Sequence, residues 1–128
     1  MSEQAKIRPS DVSQGFWQGA TQGAFLLQRD AATGRTQFYP RPVNIFGEGP
    51  LDVQPASGGG ELVALTTVRT PTPGFESPYI VGIVKLDEGP RVFARLMNVQ
   101  EGLAPGCKMK LVWQSGDAGP RLFAFEPA

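Results

Sequence analysis

Histidine is absent from this chain of 128 residues, and Cys107 is its only cysteine. Without histidine there are no imidazole general bases and no Ser-His-Asp or Cys-His nucleophile systems. A single thiol without histidine also leaves no ordinary zinc site, and it cannot form an internal disulfide of the kind that marks secreted domains. We therefore expect a protein that binds or scaffolds, and not an enzyme.

An excess of charge of either sign is also missing. Twelve Lys and Arg residues balance twelve Asp and Glu residues, which weighs against non-specific nucleic-acid binding because such binding depends largely on neutralising phosphates. Residues 1–14 are polar and contain no apolar stretch of a signal peptide. No window approaches the roughly 18 apolar residues of a membrane helix. These features predict a soluble cytoplasmic protein.

Glycine and proline, in contrast, are abundant, with 16 and 12 residues respectively. Such usage is typical of short strands joined by many turns. The spacing of apolar residues predicts a short helix over residues 12–22, with Ser10 or Asp11 as its N-cap. A hairpin is predicted over residues 24–40, with Gly34 in its turn.

The second half of the chain reads as five apolar-rich strands between residues 58 and 127. The order is a long strand, a loop, two strands, a Gly-containing link and a hairpin, as expected of a five-stranded barrel of the OB type. Periodicity alone does not separate this from another small sandwich or barrel. We predict a mainly β protein whose N-terminal module covers residues 1–50 and whose OB domain covers residues 51–128.

Several stretches together carry a family likeness. They are FWQG, LLQRDAATGRTQFYPRPVN, ELVALTTVRTP, PYIVGIVKLDEGPRVFARL and EGLAPGCKMKLVW, in this order. The most specific are Tyr39-Pro40-Arg41 and the segment VKLDEGPR at residues 84–91. The chain resembles the DUF35 proteins, small partners of acyl-CoA enzymes. The resemblance implies an N-terminal helix, a rubredoxin-like zinc ribbon and a C-terminal OB-fold.

The chain departs from this family where the ribbon would carry its two Cys-x-x-Cys pairs. By the resemblance the first pair falls on Asp30 and Thr33, and the second near Asn44 and Gly47. Two oxygen donors without others do not make a metal site. We therefore predict a degenerate, metal-free hairpin module and expect a partner surface to supply the stability that zinc normally provides. Packing should hold the hairpin through Phe25, Leu27, Phe38, Tyr39 and Phe46.

Two sets of residues are candidates for binding. Aromatic residues on helix or loop segments could anchor a protein partner or could cover the barrel as ordinary core; they are Phe16, Trp17, Phe46, Phe75 and Tyr79. Three arginines around the hairpin could bind an anion such as the phosphates of coenzyme A, or could be solvated turn charges; they are Arg29, Arg35 and Arg41.

The resemblance implies a non-catalytic partner subunit of a thiolase-superfamily enzyme, either a thiolase or an aldolase of steroid side-chain degradation. By the resemblance, the barrel would border the partner's acyl-CoA channel while the helix and ribbon dock on the partner. An acyl-CoA thioester could be shared with the partner. The alternative is a single-stranded nucleic-acid-binding OB module. Its groove would use Arg91, Arg95, Phe93 and Tyr79, but the zero net charge is unfavourable.

Overall fold

The computed structural model describes residues 12–70, 78–99, 102–114 and 122–128. Within these ranges the chain is mainly β, and no helix there is long and apolar enough to cross a membrane. The single described helix, α1, covers Gln14–Thr21. The strands are β1 Leu26–Asp30, β2 Thr36–Gln37, β3 Leu51–Pro55, β4 Gly59–Val68, β5 Tyr79–Leu86, β6 Arg91–Leu96, β7 Lys108–Trp113 and β8 Phe123–Pro127.

Five strands form a closed barrel in the order β4-β5-β6-β8-β7. All neighbours are antiparallel except β6 and β8, which run parallel. This closure removes open sheet edges and confirms the prediction of a mainly β fold with an OB-type barrel. Gly82 is required at its position, because a Cβ there would lie 2.6 Å from the Ala64 carbonyl oxygen and 2.9 Å from Leu96 Cδ1.

Strand β3 begins at Leu51, within the predicted OB domain, but it does not belong to the barrel. It pairs with β1 in a separate sheet of three strands, ordered β2-β1-β3, and the first barrel strand begins at Gly59. The register places Asp52 opposite Arg29, and their side chains form an ion pair at 3.0 Å. The sequence of a short strand does not say which partner it will find, and here the partner is β1.

Helix α1 begins later than the predicted residue 12. Ser13 is at its N-cap position without a side-chain capping hydrogen bond, whereas Ser10 and Asp11 lie outside the described residues. Phe16, Trp17 and Ala20 form its buried face. Because an eight-residue helix with two internal glycines is unstable alone, this apolar face must be packed against the rest of the chain.

An aromatic cluster provides that packing. The ring of Phe16 lies at its centre, 4.8–5.9 Å between centroids from five other rings. Because these rings come from the helix, the hairpin and strand β8 of the barrel, they join all three parts in one core. The aromatic cluster consists of Phe16, Trp17, Phe25, Phe38, Tyr39 and Phe123.

A hydrogen-bond network stabilises the other end of the hairpin, where the resemblance places zinc. The Asp30 carboxylate accepts hydrogen bonds from Thr33 Oγ1 at 2.6 Å, Asn44 Nδ2 at 3.0 Å and the Ala32 backbone N–H at 3.3 Å. Asn44 Nδ2 also donates to the Gly49 carbonyl at 3.1 Å. We call this the Asp30 network. The side chains of Asp30, Thr33 and Asn44 occupy three of the four positions aligned with zinc ligands, and they bind one another.

The residues at these positions do not fit a zinc ion. Gly47 has no side chain to offer, and the Asp30 carboxylate already accepts hydrogen bonds on both of its oxygens. In the described ranges no three His, Cys, Asp or Glu side chains are grouped so that they could hold a metal. The Asp30 network thus links these side chains to one another and stabilises the loop from within the chain.

Packing holds only part of the hairpin in the way we predicted. Phe25 and Leu27 are buried and Phe38 is half-buried within the core. Tyr39, however, is 40% exposed, and Phe46 packs against the guanidinium of Arg35. The Asp30 network could not be predicted from the sequence, because local patterns do not show a hydrogen bond between residues 14 apart such as Asn44 and Asp30.

The Asp30 network also changes the acidity of Asp30. Hydrogen bonds from the Thr33 hydroxyl and then from the Asn44 amide lower the pKa of Asp30 from its ordinary value of 3.8, since they stabilise the ionised carboxylate. A carboxylate with a lowered folded-state pKa stabilises the protein above its unfolded-state pKa. This stabilisation is lost as the pH falls through the folded-state pKa.

We predict that Asp30→Ala lowers the melting temperature at neutral pH. Below about pH 4, the melting temperature of this variant should fall less with decreasing pH than that of the wild type. The control Asp52→Ala removes an exposed carboxylate of the same sheet and should have little effect, as surface ion pairs contribute little. Thermal unfolding from neutral to acid pH, with and without a chelator, measures both effects. Equal stability of the two variants, or a wild type weakened by the chelator, would contradict the prediction.

Candidate interaction surface

Two of the predicted aromatic anchors belong to the core, which is the alternative that the sequence also allowed. Phe16 and Trp17 are 4% and 7% exposed. Trp17 Nε1 donates a hydrogen bond to the Tyr39 hydroxyl at 2.8 Å, and the indole stacks on Phe123 with 6.4 Å between centroids. The helical spacing of Phe16, Trp17 and Ala20 already indicated a buried face, which the barrel and hairpin cover.

The other aromatic candidates have different surroundings. Phe46 is half-buried, and the guanidinium carbon of Arg35 lies 4.1 Å above its ring. Tyr79 is half-buried at the start of β5, where it lines a groove on the barrel. Phe75 lies outside the described residues. Of this set, only Tyr79 therefore contributes to a described groove of the barrel surface.

The three predicted arginines have separate partners. Arg29 forms the ion pair with Asp52, and Arg35 stacks on Phe46. Arg41 is exposed, and its backbone N–H and carbonyl bind the side-chain amide of Gln28. The structure thus does not present these arginines as one anion site.

One of the three, Arg35, does line a cavity, and Arg91 from the barrel lines it as well. This cavity of about 350 Å³ lies between the hairpin module and the turn after β5. Its apolar wall includes Phe38 and Phe46, and its floor is fixed where Thr36 Oγ1 donates to the Glu88 carbonyl at 3.1 Å. The Arg35 guanidinium lies on this wall, and Arg91 with Glu88 adds one cation and one acid to the lining, so its net positive charge suits a phosphate or carboxylate.

The adjacent carboxylates Asp87 and Glu88 hold a turn in place. The Ser57 backbone N–H donates to Glu88 Oε2 at 2.8 Å, and the Ser57 hydroxyl lies 3.4 Å from Asp87 Oδ2. Both carboxylates therefore contact the segment that leads into β4. General acid–base catalysis needs groups that converge on a substrate, and these two instead accept hydrogen bonds from the backbone N–H and the hydroxyl of Ser57.

The outward side of β5 and β6 carries several apolar side chains, of which Phe93 is exposed and Val81 is buried. Gly82, Val84 and Leu86 face the core, so the residues that alternate with them face outward. Phe93, which is 68% exposed, pairs with Ile83. We call this surface the outer face; it consists of Tyr79, Val81, Ile83, Lys85, Arg91, Phe93 and Arg95.

A groove of about 260 Å³ runs along the outer face between Tyr79, Phe93 and Phe123. Arg95 lies in it and donates a hydrogen bond to Gln114 Oε1 at 3.2 Å. The sequence carried a signal for this surface, since residues 80–84 are apolar on both sides of the strand. Our prediction named Tyr79 as a candidate anchor but Phe93 only for the nucleic-acid alternative, so it did not bring the two together on one surface.

The chain matches two models of known domains. Residues 17–43 match the rubredoxin-like zinc ribbon domain of ChsH2, and residues 53–114 match its C-terminal OB-fold domain. A solved structure described as the Ltp2-ChsH2(DUF35) aldolase has a chain with a TM-score of 0.86 and 26% sequence identity. That likeness covers 95% of this chain and 98% of the other.

Curated relatives agree with these matches. A DUF35 domain-containing scaffold protein of Pyrococcus furiosus is 32% identical over 109 residues, which cover 82% of this chain and 79% of the relative. A probable enoyl-CoA hydratase alpha subunit of Thermomonospora curvata is 32% identical over 117 residues, or 88% of this chain but only 37% of the relative. The chain belongs to the DUF35 family.

Proposed function

We propose that this chain is a non-catalytic OB-fold partner subunit of a thiolase-type acyl-CoA enzyme. The observation that carries the proposal is the likeness over 95% of the chain to a DUF35 chain in a structure described as an aldolase with Ltp2. The scaffold protein of Pyrococcus furiosus, similar over 82% of this chain, supports the same role. A scaffold acts by contact and needs no catalytic group of its own.

The chemistry of the chain supports the non-catalytic part of the proposal. It has no histidine, and the paired carboxylates of the turn after β5 bind Ser57. The similarity to the hydratase subunit covers 37% of that protein, so it does not carry hydratase activity to this chain. It does link the same domain type to enzymes of acyl-CoA thioesters, which is the class of partner proposed here.

Affinity purification of the tagged chain from its native host tests the proposed partner. We expect a thiolase-type acyl-CoA enzyme, identified by mass spectrometry, in a stable complex. The isolated chain should show no turnover of acyl-CoA, and adding it should raise the melting temperature of the purified enzyme by mass action. Copurification of no acyl-CoA enzyme, together with salt-dependent binding of single-stranded oligonucleotides, would favour the nucleic-acid alternative.

We also propose that the cavity between Arg35 and Arg91 contacts the phosphates of the partner's acyl-CoA. This cavity replaces the anion site predicted from Arg29, Arg35 and Arg41, because Arg29 is paired with Asp52 and Arg41 lies outside the cavity lining. The support is the pair of guanidinium groups on an apolar wall formed by Phe38 and Phe46. The thioester would remain with the partner enzyme, which performs the chemistry.

Arg35→Ala should raise the KM of the complex for acyl-CoA about tenfold, the effect of one charge-assisted hydrogen bond. Steady-state kinetics of the reconstituted complex measures this change. Arg41→Ala is the matched control, since it removes an exposed arginine of the same module that does not line the cavity. An unchanged KM for Arg35→Ala, with the complex intact, would contradict the coenzyme proposal but not the partner proposal.

A further inference from the structure

The outer face combines features that an isolated domain has no reason to keep. Phe93 is 68% exposed near the middle of the barrel sheet, where a polar residue would be expected. Large exposed apolar surface on a folded protein marks an interaction site, and aromatic residues are enriched at the centres of such sites. Phe93 and the groove beside Tyr79 thus give this surface an apolar centre.

Cations lie at one end of this apolar centre. Lys85 and Arg91 are exposed and directly opposite each other on β5 and β6. Like charges in this arrangement destabilise a sheet. On β4, Glu61 lies opposite Lys85 of β5 and opposite Lys108 of β7. The cross-strand row therefore contains three cations and one acid, in the order Lys108, Glu61, Lys85 and Arg91. Asp87 and Glu88 in the turn beyond this row contact Ser57, so the excess of positive charge belongs to the row itself.

We propose that the outer face docks an acidic segment of the acyl-CoA enzyme, with an apolar side chain of that segment seated beside Phe93. The proposal rests on the proposed function and names the surface that performs it. Charge complementarity indicates the acidic character of the segment, because its carboxylates would pair with the exposed Lys85, whereas Arg91 also lines the coenzyme cavity. The exposed ring of Phe93 would become the buried anchor of the contact.

A protein partner suits this surface better than a nucleic acid. Binding of single strands needs a basic groove along several phosphates and successive exposed aromatic rings for stacking. Here Glu61 interrupts the row of cations, and Tyr79 is only half-exposed. One freely exposed ring between one acid and a few cations instead matches the centre and rim of a protein interface.

Affinity of the purified chain for the enzyme identified above tests the proposal. Phe93→Asp should raise the dissociation constant about thirtyfold, because it removes a hot spot and places a carboxylate against an acidic partner. Its melting temperature should remain that of the wild type, because the ring is exposed. Lys85→Glu, a second variant on the same surface, should weaken binding about tenfold and reduce the salt dependence of the association rate.

Val53→Asp is the matched control, since Val53 is 62% exposed on β3 of the separate sheet. If Val53→Asp weakens binding and Phe93→Asp does not, docking occurs through the hairpin module and the proposal is overturned. If the wild type binds no acyl-CoA enzyme, both this proposal and the proposed function fail. Binding of single-stranded DNA that is lost in Phe93→Asp and Lys85→Glu would assign the outer face to nucleic acid and would equally overturn it.

Discussion

The contact of the Phe16 ring with five other aromatic rings is the interaction on which the rest of the structure depends. Helix α1 has eight residues and the hairpin strand β2 has two, so neither element is stable by itself. The aromatic cluster buries both against β8 of the barrel. The small N-terminal module thereby shares the core of the larger domain and does not need one of its own.

The aromatic cluster stabilises only one end of the hairpin, and the Asp30 network stabilises the other end. Zinc ribbons gain much of their folding free energy from the metal. In this chain Asp30, Thr33 and Asn44 replace thiolates with a carboxylate, a hydroxyl and an amide that satisfy one another. The aromatic cluster and the Asp30 network together fix the hairpin at both ends, so that the ribbon shape is kept without thiolates at the aligned positions. A scaffold needs only the shape.

Much of the fold could be predicted from the sequence because it depends on local signals. Turn residues and strand alternation indicated the hairpin and the barrel, and the resemblance identified the residues aligned with the zinc ligands. Which elements pair could not be predicted, because β3 joins β1 through contacts between residues about 25 positions apart, such as Arg29 and Asp52. For the same reason the Asp30 network was not foreseen.

The candidate site was less predictable than the fold, because the sequence shows which residues are aromatic but not which side of a sheet or helix is covered. Phe16 and Trp17 looked like anchors and are core, whereas Phe93 looked like part of an alternating strand and is the exposed ring. Likewise Arg35 and Arg91 are 56 residues apart in the chain and meet only through the cavity that both line.

Urea unfolding of Trp17→Ala tests the central claim, that the aromatic cluster holds the helix, the hairpin and the barrel together. Trp17 is 7% exposed, so its truncation should lower the free energy of unfolding by about 3–5 kcal/mol. Phe93→Ala, which truncates the exposed ring, should lower it by no more than about 0.5 kcal/mol. A Trp17→Ala variant as stable as the wild type but with weakened binding to the acyl-CoA enzyme would contradict the account, because Trp17 would then be a docking anchor.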